Sequence, residues 1–169
     1  MKKLLLLPFL ICVLSLSSYA QTTDYKFQSL FIYNIAKMAR WSLEHESGDF
    51  KIAVLGSKDI AATIIKSLEG KKIGNQEIKV TAYNSLDEAG YNQILFVPAN
   101  TKISMDKLNK ATENKNTMLV TERDGWGKKG STINFVMIDG KMKFEVNTDA
   151  AQKVNVRLSN SISAMGIVL

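Results

Sequence analysis

Cysteine and histidine are almost absent from the chain, which has one of each. Cys12 lies in the apolar N-terminal run, so residues 21–169 have no thiol for a disulfide, a thiolate metal site or a cysteine nucleophile. His45 stands in a polar stretch and is not placed beside a nucleophile, and one imidazole cannot supply the ligand set of a zinc site. We therefore predict no metal and a solvated, surface His45.

Proline is also scarce, with Pro98 the only one after the N-terminal run. No repeat, linker or low-complexity stretch divides the chain, so residues 21–169 are predicted to form a single domain. The glycine-rich stretch 123–130 matches G-x-G-x-x-G, but a predicted strand follows it. Nucleotide binding at that motif needs a helix N-terminus after the glycines, so we expect a turn-rich loop and no cofactor.

Charge of one sign does not dominate any segment. The net charge of the whole chain is +6, and its basic residues are interleaved with acids. No arginine-rich stripe and no ladder of aromatic residues is present, so a nucleic-acid partner is not predicted.

The long apolar run lies near the N-terminus. Lys2 and Lys3 precede the apolar residues 4–16, and Ser18-Tyr19-Ala20 places small residues at the −3 and −1 positions of a cleavage site. The run is too short to cross a bilayer comfortably. We predict a secretory signal peptide over residues 1–20, cleaved after Ala20, and a periplasmic domain with no direct membrane insertion.

The acidic residues do not form a catalytic constellation. Paired carboxylates occur in polar, turn-like stretches, where we expect solvated charges: Glu44 with Glu46, Asp87 with Glu88, and Glu122 with Asp124. Glu145 differs, because it lies late in the last predicted strand, just before Asn147. A salt bridge to Lys143, Arg157 or a lysine of the facing strand is favoured over a ligand role. The chain is therefore predicted not to be an enzyme.

The first helix is predicted over residues 24–44. Apolar residues recur there at three- and four-residue steps: Phe27, Leu30, Phe31, Ile35, Met38 and Trp41. We expect this stripe, including Phe27 and Ile35, to be core. A second apolar set flanks it: Ile32, Ala36, Ala39 and Leu43. So wide an apolar arc indicates either a helix buried deep in its own domain or one that also supplies a protein–protein interface.

The rest of the chain alternates between helical and strand patterns. Strands are predicted at 51–55, 78–83, 93–97 and 117–121, and helices at 58–68, 104–112 and 148–164. Asp139-Gly140 between two alternating runs, 132–138 and 141–147, indicates a hairpin. We predict an α/β fold with a mixed, mostly parallel sheet, helices on both faces, and a C-terminal β-hairpin followed by a helix.

Three segments, in order, resemble the YfiR-like family of periplasmic regulatory proteins. They are the opening helix with Phe31-Ile32-Tyr33-Asn34-Ile35-Ala36-Lys37 and Trp41, the strand and turn at 52–56, and the ending with Phe144-Glu145-Val146-Asn147 and Ala150-Ala151. Two departures stand out. Ser42 replaces the usual proline after the tryptophan, and residues 21–169 lack the cysteines that redox-tuned members use.

The resemblance implies a regulator that binds the outer domain of a membrane signalling protein. The implied partner is a diguanylate cyclase of cyclic-di-GMP signalling, or a sensor histidine kinase. The helix that opens this resemblance, with its wide apolar arc and its aromatic residues, is predicted to bind the partner. The predicted partner-binding residues are Phe31, Tyr33, Asn34, Lys37 and Trp41, with Glu145 and Asn147 as family-motif positions. A homodimer is left open. The alternative is a periplasmic small-ligand binding protein, with its site at Gly56-Ser57 and after Val97, at the carboxyl ends of predicted strands.

Overall fold

The computed structural model describes residues 25–169. The predicted signal peptide and its cleavage site lie outside the described residues. The helices are α1 (Lys26–Met38), α2 (Lys58–Ser67), α3 (Leu86–Ala89), α4 (Met105–Thr112), α5 (Thr148–Lys153) and α6 (Asn160–Met165). The strands are β1 (Ala39–Arg40), β2 (Phe50–Leu55), β3 (Lys72–Ile73), β4 (Gln76–Tyr83), β5 (Ile94–Val97), β6 (Met118–Thr121), β7 (Ile133–Ile138), β8 (Lys141–Val146), β9 (Arg157–Leu158) and β10 (Ile167–Val168).

Eight of the strands form one sheet in the order β10-β8-β7-β6-β5-β2-β4-β3. The strands β4, β2, β5, β6 and β7 pair in parallel. The strand β3 runs antiparallel to β4, and β8 runs antiparallel to β7 and parallel to β10. Asp139 and Gly140 both have positive φ at the tip of the β7–β8 hairpin, as the two-residue turn requires. The predicted single-domain α/β fold with a mixed, mostly parallel sheet is confirmed.

The sheet is covered on both faces where its strands are nearly all apolar, which holds for β2, β5 and β6. In β2, Ile52 and Val54 enter the larger core with α1, α2 and α6, whereas Ala53 and Leu55 enter a smaller one with α4 and Trp126. Strand residues point alternately to opposite faces, so near-continuous apolar runs are what a doubly covered sheet needs.

Two predicted helices are shorter than expected. The first ends at Met38, because Ala39 is extended and pairs with Leu158 in a separate two-stranded ribbon of β1 and β9. The last is divided into α5 and α6, with Asn155 at positive φ between them. Both predicted helices are interrupted by the same long-range contact, the pairing of β1 with β9. A hydrogen bond from the Ser159 amide to the Met38 carbonyl extends this contact. Tertiary contacts of this kind override local propensity.

Candidate functional site

The first helix packs on the sheet with a different face from the one predicted. Phe27, expected in the core, is 63% exposed, and Leu30 is 42% exposed. Ile32, Ala36 and Ala39 of the flanking set are buried, while Ile35 and Trp41 of the predicted stripe are buried as expected. Ile32, Ile35 and Ala36 pack in the larger core, which leaves the side of the helix with Phe27 and Leu30 facing solvent.

The opposite side of α1 presents a line of exposed residues to solvent. We call Phe27, Leu30, Asn34 and Lys37 the exposed stripe of α1. Two large apolar side chains occupy its N-terminal half, and a polar and a basic residue occupy its C-terminal half. An apolar pair exposed on a helix whose other face is core is a typical feature of an interaction surface.

Phe31 and Trp41, two of the predicted partner-binding residues, are aromatic residues in contact with the core. Phe31 is half-buried, with ring centroids 6.1 Å from Phe135 and 5.7 Å from Phe144. Trp41 is 7% exposed, lies edge-on to Phe50 with 5.0 Å between centroids, and donates its indole N–H to the Gln93 carbonyl at 3.2 Å. Phe31 thus borders the exposed stripe, whereas Trp41 lies within the core.

Tyr33 lies beside the exposed stripe between two lysines. The Lys37 ammonium is 5.4 Å from the Tyr33 ring centroid, and the Lys71 ammonium, from the loop after α2, is 5.3 Å from it. Both distances are within the range of cation–π attraction. Of the predicted partner-binding residues, Tyr33, Asn34 and Lys37 are therefore together on the accessible side of α1.

The motif residues Glu145 and Asn147 hold the glycine-rich loop. Asn134, fully buried, donates to the Glu145 carboxylate at 2.8 Å, and its side chain also bonds both the amide and the carbonyl of Arg123. Asn147 caps α5 through the Ala150 amide and donates to the Gly127 carbonyl at 2.8 Å. The predicted salt bridge of Glu145 is wrong, because within residues 25–169 its partner is the Asn134 amide.

This arrangement leaves little room for a side chain at position 127. A Cβ built there would collide with the Glu145 carboxylate and the Leu169 side chain. The strand β7 follows the loop, as predicted, so the loop amides do not lead into a helix N-terminus.

Comparison with known proteins identifies the family to which these motif residues belong. Residues 25–166 match a family described as YfiR/HmsC-like. The chain belongs to this family. No curated protein gives a significant match. Members of the YfiR/HmsC-like family are periplasmic regulators, and within residues 25–169 no helix has the length and apolar character needed to span a bilayer.

One buried acid of this YfiR/HmsC-like domain was missed at the sequence level. Glu122, predicted to be solvated, directly follows β6 and accepts hydrogen bonds from the Tyr25 hydroxyl at 2.6 Å and the Ala99 amide at 2.9 Å. Burial raises the pKa of the Glu122 carboxyl, and hydrogen bonds from Tyr25, Ala99 and Gln28 offset only part of that effect. Its position directly after the apolar run 117–121 is the sequence feature that could have indicated its burial.

The histidine also differs from its prediction as a solvated residue. The His45 ring stacks on Tyr91 with 4.1 Å between centroids, and its side chain is only 22% exposed. Its backbone carbonyl accepts hydrogen bonds from the side-chain amides of Gln76 and Gln93. These contacts indicate a structural role for His45 beside the sheet.

The strand ends proposed for a small ligand are filled by the chain itself. Thr101 bonds the Leu55 carbonyl and lies 3.6 Å from where a Cβ on Gly56 would be. Arg123 donates to the carbonyls of Ala99 and Thr101. A cleft of about 550 Å³ occurs elsewhere, between α4, α5 and the glycine-rich loop. Four lysines line it, with three acids: Lys110, Lys128, Lys129, Lys153, Asp106, Glu113 and Asp149.

Replacing Glu122 by glutamine should make the domain less sensitive to pH. The Glu122 carboxyl binds its proton more tightly in the folded state than in the unfolded chain, where its pKa is about 4.3. The wild type therefore loses stability as the pH rises from that value through the higher pKa of the folded state. Glutamine keeps an acceptor for Tyr25 and Ala99 without a buried charge. Urea unfolding should therefore show the stability of the variant rising relative to that of the wild type as the pH increases above about 4.3.

Asp124→Asn provides the matched control, because Asp124 is exposed on the same loop. It should leave the pH profile of stability close to that of the wild type. Equal pH profiles for Glu122→Gln and the wild type would show that burial of Glu122 has no energetic effect.

Proposed function

We propose that this chain is a non-enzymatic periplasmic regulator that binds the outer domain of a membrane signalling protein and modulates its output. The signalling protein would be a diguanylate cyclase or a sensor histidine kinase. The observation that carries the proposal is the exposed stripe of α1, which presents Phe27 and Leu30 to solvent on a helix whose other face is core. Family membership supplies the regulatory class.

Such a regulator acts through differential affinity. It changes the output only if it binds one conformation of the signalling protein more tightly than the other. A tenfold preference corresponds to about 1.4 kcal/mol, which one or two buried aromatic or apolar contacts can provide. The rims of the exposed stripe, Phe31 and Tyr33, offer contacts of that type.

Tyr33→Ala and Lys37→Glu should fold normally and bind the partner several-fold more weakly. Tyr33 is only partly buried and Lys37 is exposed, so neither change opens a cavity in the core. The measurement is capture of membrane proteins by the immobilised domain, quantified by mass spectrometry, together with melting curves. Lys107→Glu, an exposed change on α4, is the control for net charge. Unchanged capture by both α1 variants would contradict the proposal.

The second candidate function is binding of a small ligand in the cleft between α4 and α5. Its volume of about 550 Å³ lies within the range of small-molecule sites. The two functions are compatible if a ligand in the cleft displaces the glycine-rich loop, since Lys128, Lys129 and Gly130 form one wall. A ligand that raises the melting temperature without altering partner capture would favour the ligand-binding function alone.

A further inference from the structure

The exposed stripe of α1 has the spacing of a helix–helix seam. Its residues Phe27, Leu30, Asn34 and Lys37 follow one another at steps of three, four and three residues. This is the a/d spacing with which one helix packs along another, and an asparagine at an a position commonly sets the register. Phe31 and Tyr33, both half-buried, lie along the two sides of the stripe like flanking e and g residues.

The seam changes character along its length. Phe27 and Leu30 form an apolar end, and Lys37 forms a basic end together with Lys71. Lys37 is ten positions after Phe27. At a rise of 1.5 Å per residue, the two ends of the seam are therefore about 15 Å apart along the helix axis.

The two lysines have no acidic partner within the described part of the chain. No carboxylate of residues 25–169 lies within 4.0 Å of either ammonium group, and both approach the same Tyr33 ring. The dipole of α1 accounts for a cation at Lys37, near the helix C-terminus, but not for Lys71 on the following loop. Two like charges converging on one ring leave a basic site that an external carboxylate would complement.

We propose that the exposed stripe of α1 binds a helix of the signalling partner that presents apolar residues to Phe27 and Leu30 and, about 15 Å further along, carboxylates to Lys37 and Lys71. This proposal rests on the proposed function and adds the chemistry of the partner surface. It also brings into the interface Phe27, Leu30 and Lys71, which are not among the predicted partner-binding residues.

Two other binding partners would complement the charges of the exposed stripe of α1 less well. A second copy of the chain would place lysines against lysines if the helices were parallel. An antiparallel pair would bring no carboxylate to them, because α1 contains no acidic residue. A helix lying in an anionic membrane surface carries its lysines beside its apolar face along the whole length. Lys26, beside Phe27, already interacts within the chain. The cations without an acidic partner among residues 25–169, Lys37 and Lys71, lie at the other end of the stripe. The pattern therefore favours a helix with one apolar and one acidic end.

The test uses the folded domain and two synthetic helical peptides as probes. Both carry leucine at a and d positions in one half, and the other half carries glutamate in one peptide and lysine in the other. Fluorescence anisotropy at low salt should show about tenfold tighter binding of the glutamate peptide. Leu30→Ser should weaken binding of the glutamate peptide, and Lys37→Glu with Lys71→Glu should remove the preference for it.

Lys102→Glu with Lys107→Glu, at exposed positions just before and on α4, is the charge-matched control and should keep the preference. Equal affinity for the two peptides, or the same loss in the control pair, would overturn the proposal. So would co-sedimentation with phosphatidylglycerol vesicles that the glutamate peptide does not compete, or concentration-dependent dimerisation abolished by Leu30→Ser. Failure of peptide selectivity while the domain still captures a membrane protein through α1 would refute this partner chemistry and leave the proposed function standing.

Discussion

Replacing Trp41 by alanine is expected to lower the free energy of unfolding by about 3–5 kcal/mol. The indole is 7% exposed, lies edge-on to Phe50 and bonds the Gln93 carbonyl, so alanine leaves a cavity in the larger core. For a domain of this size, each kcal/mol shifts the melting temperature by about 2–4 °C. Calorimetry should therefore show a drop of roughly 10 °C.

Trp41→Phe separates packing from the hydrogen bond. It keeps an aromatic ring beside Phe50, and the Gln93 carbonyl still accepts from the Met118 amide at 2.8 Å. We expect a cost below about 2 kcal/mol. If Trp41→Ala melted like the wild type but failed to bind the partner, Trp41 would be an interface residue and its burial in the core would be unimportant.

Replacing Asn134 by alanine should have a similarly large effect, about 3–4 kcal/mol, by removing the centre of a buried network. The Asn134 amide connects the Thr121 hydroxyl, both backbone groups of Arg123 and the Glu145 carboxylate. Alanine leaves the Arg123 backbone groups and the Glu145 carboxylate without this partner, while the Thr121 hydroxyl keeps its bond to Ser131. Each buried polar group so orphaned costs about 1–3 kcal/mol, and partial relaxation of the exposed loop recovers some of it.

The same variant should release the glycine-rich loop. Hydrogen exchange at residues 123–130 is expected to accelerate more than exchange in β2 or β5, because the loop loses its attachment to β7 and β8. Asn109→Ala is the matched control, since Asn109 makes one hydrogen bond to the same loop, to the Lys129 carbonyl at 2.9 Å. Equal losses of stability in the two variants would show that the network around Asn134 has no special role.

The order of strands and helices could be predicted from the sequence because the sheet is doubly covered. Apolar runs such as Ile94–Val97 and Met118–Thr121 have no competing helical pattern, and Asp139-Gly140 allows only a tight turn. The division of the last helix could not be predicted. Its cause is the pairing of β9 with β1, more than a hundred residues apart in the chain, and no local pattern records that contact.

The face of α1 was mispredicted for a similar reason. Two apolar sets share that helix, and periodicity alone does not decide which one meets the sheet. The larger side chains Phe27 and Leu30 were assigned to the core, whereas the closely packed side is formed by Ile32, Ile35 and Ala36. The exposure of the bulky set is therefore a result of the tertiary structure, and it defines the candidate interface.

Glu122 and Glu145 show why the environment of a polar residue could not be predicted from the sequence. A rule based on polar surroundings placed Glu122 in solvent, although its backbone directly continues a buried strand. Glu145 was assigned an ionic partner because lysines surround it in sequence, but Asn134 on the facing strand is its register partner. Strand register decides the partner of Glu145, and the packing of Tyr25 and of the loop after β5 decides those of Glu122. Charge patterns specify neither.

The most direct test of the central claim, that the exposed stripe of α1 binds a membrane signalling protein, is photo-cross-linking in living cells. Benzoylphenylalanine would replace Asn34 in the middle of the stripe and, as a control, Lys107 on α4. The account predicts that position 34 forms a cross-link to a membrane signalling protein and that position 107 does not. Cross-links to such a protein from position 107 alone, or none from position 34 while the domain remains folded, would contradict it.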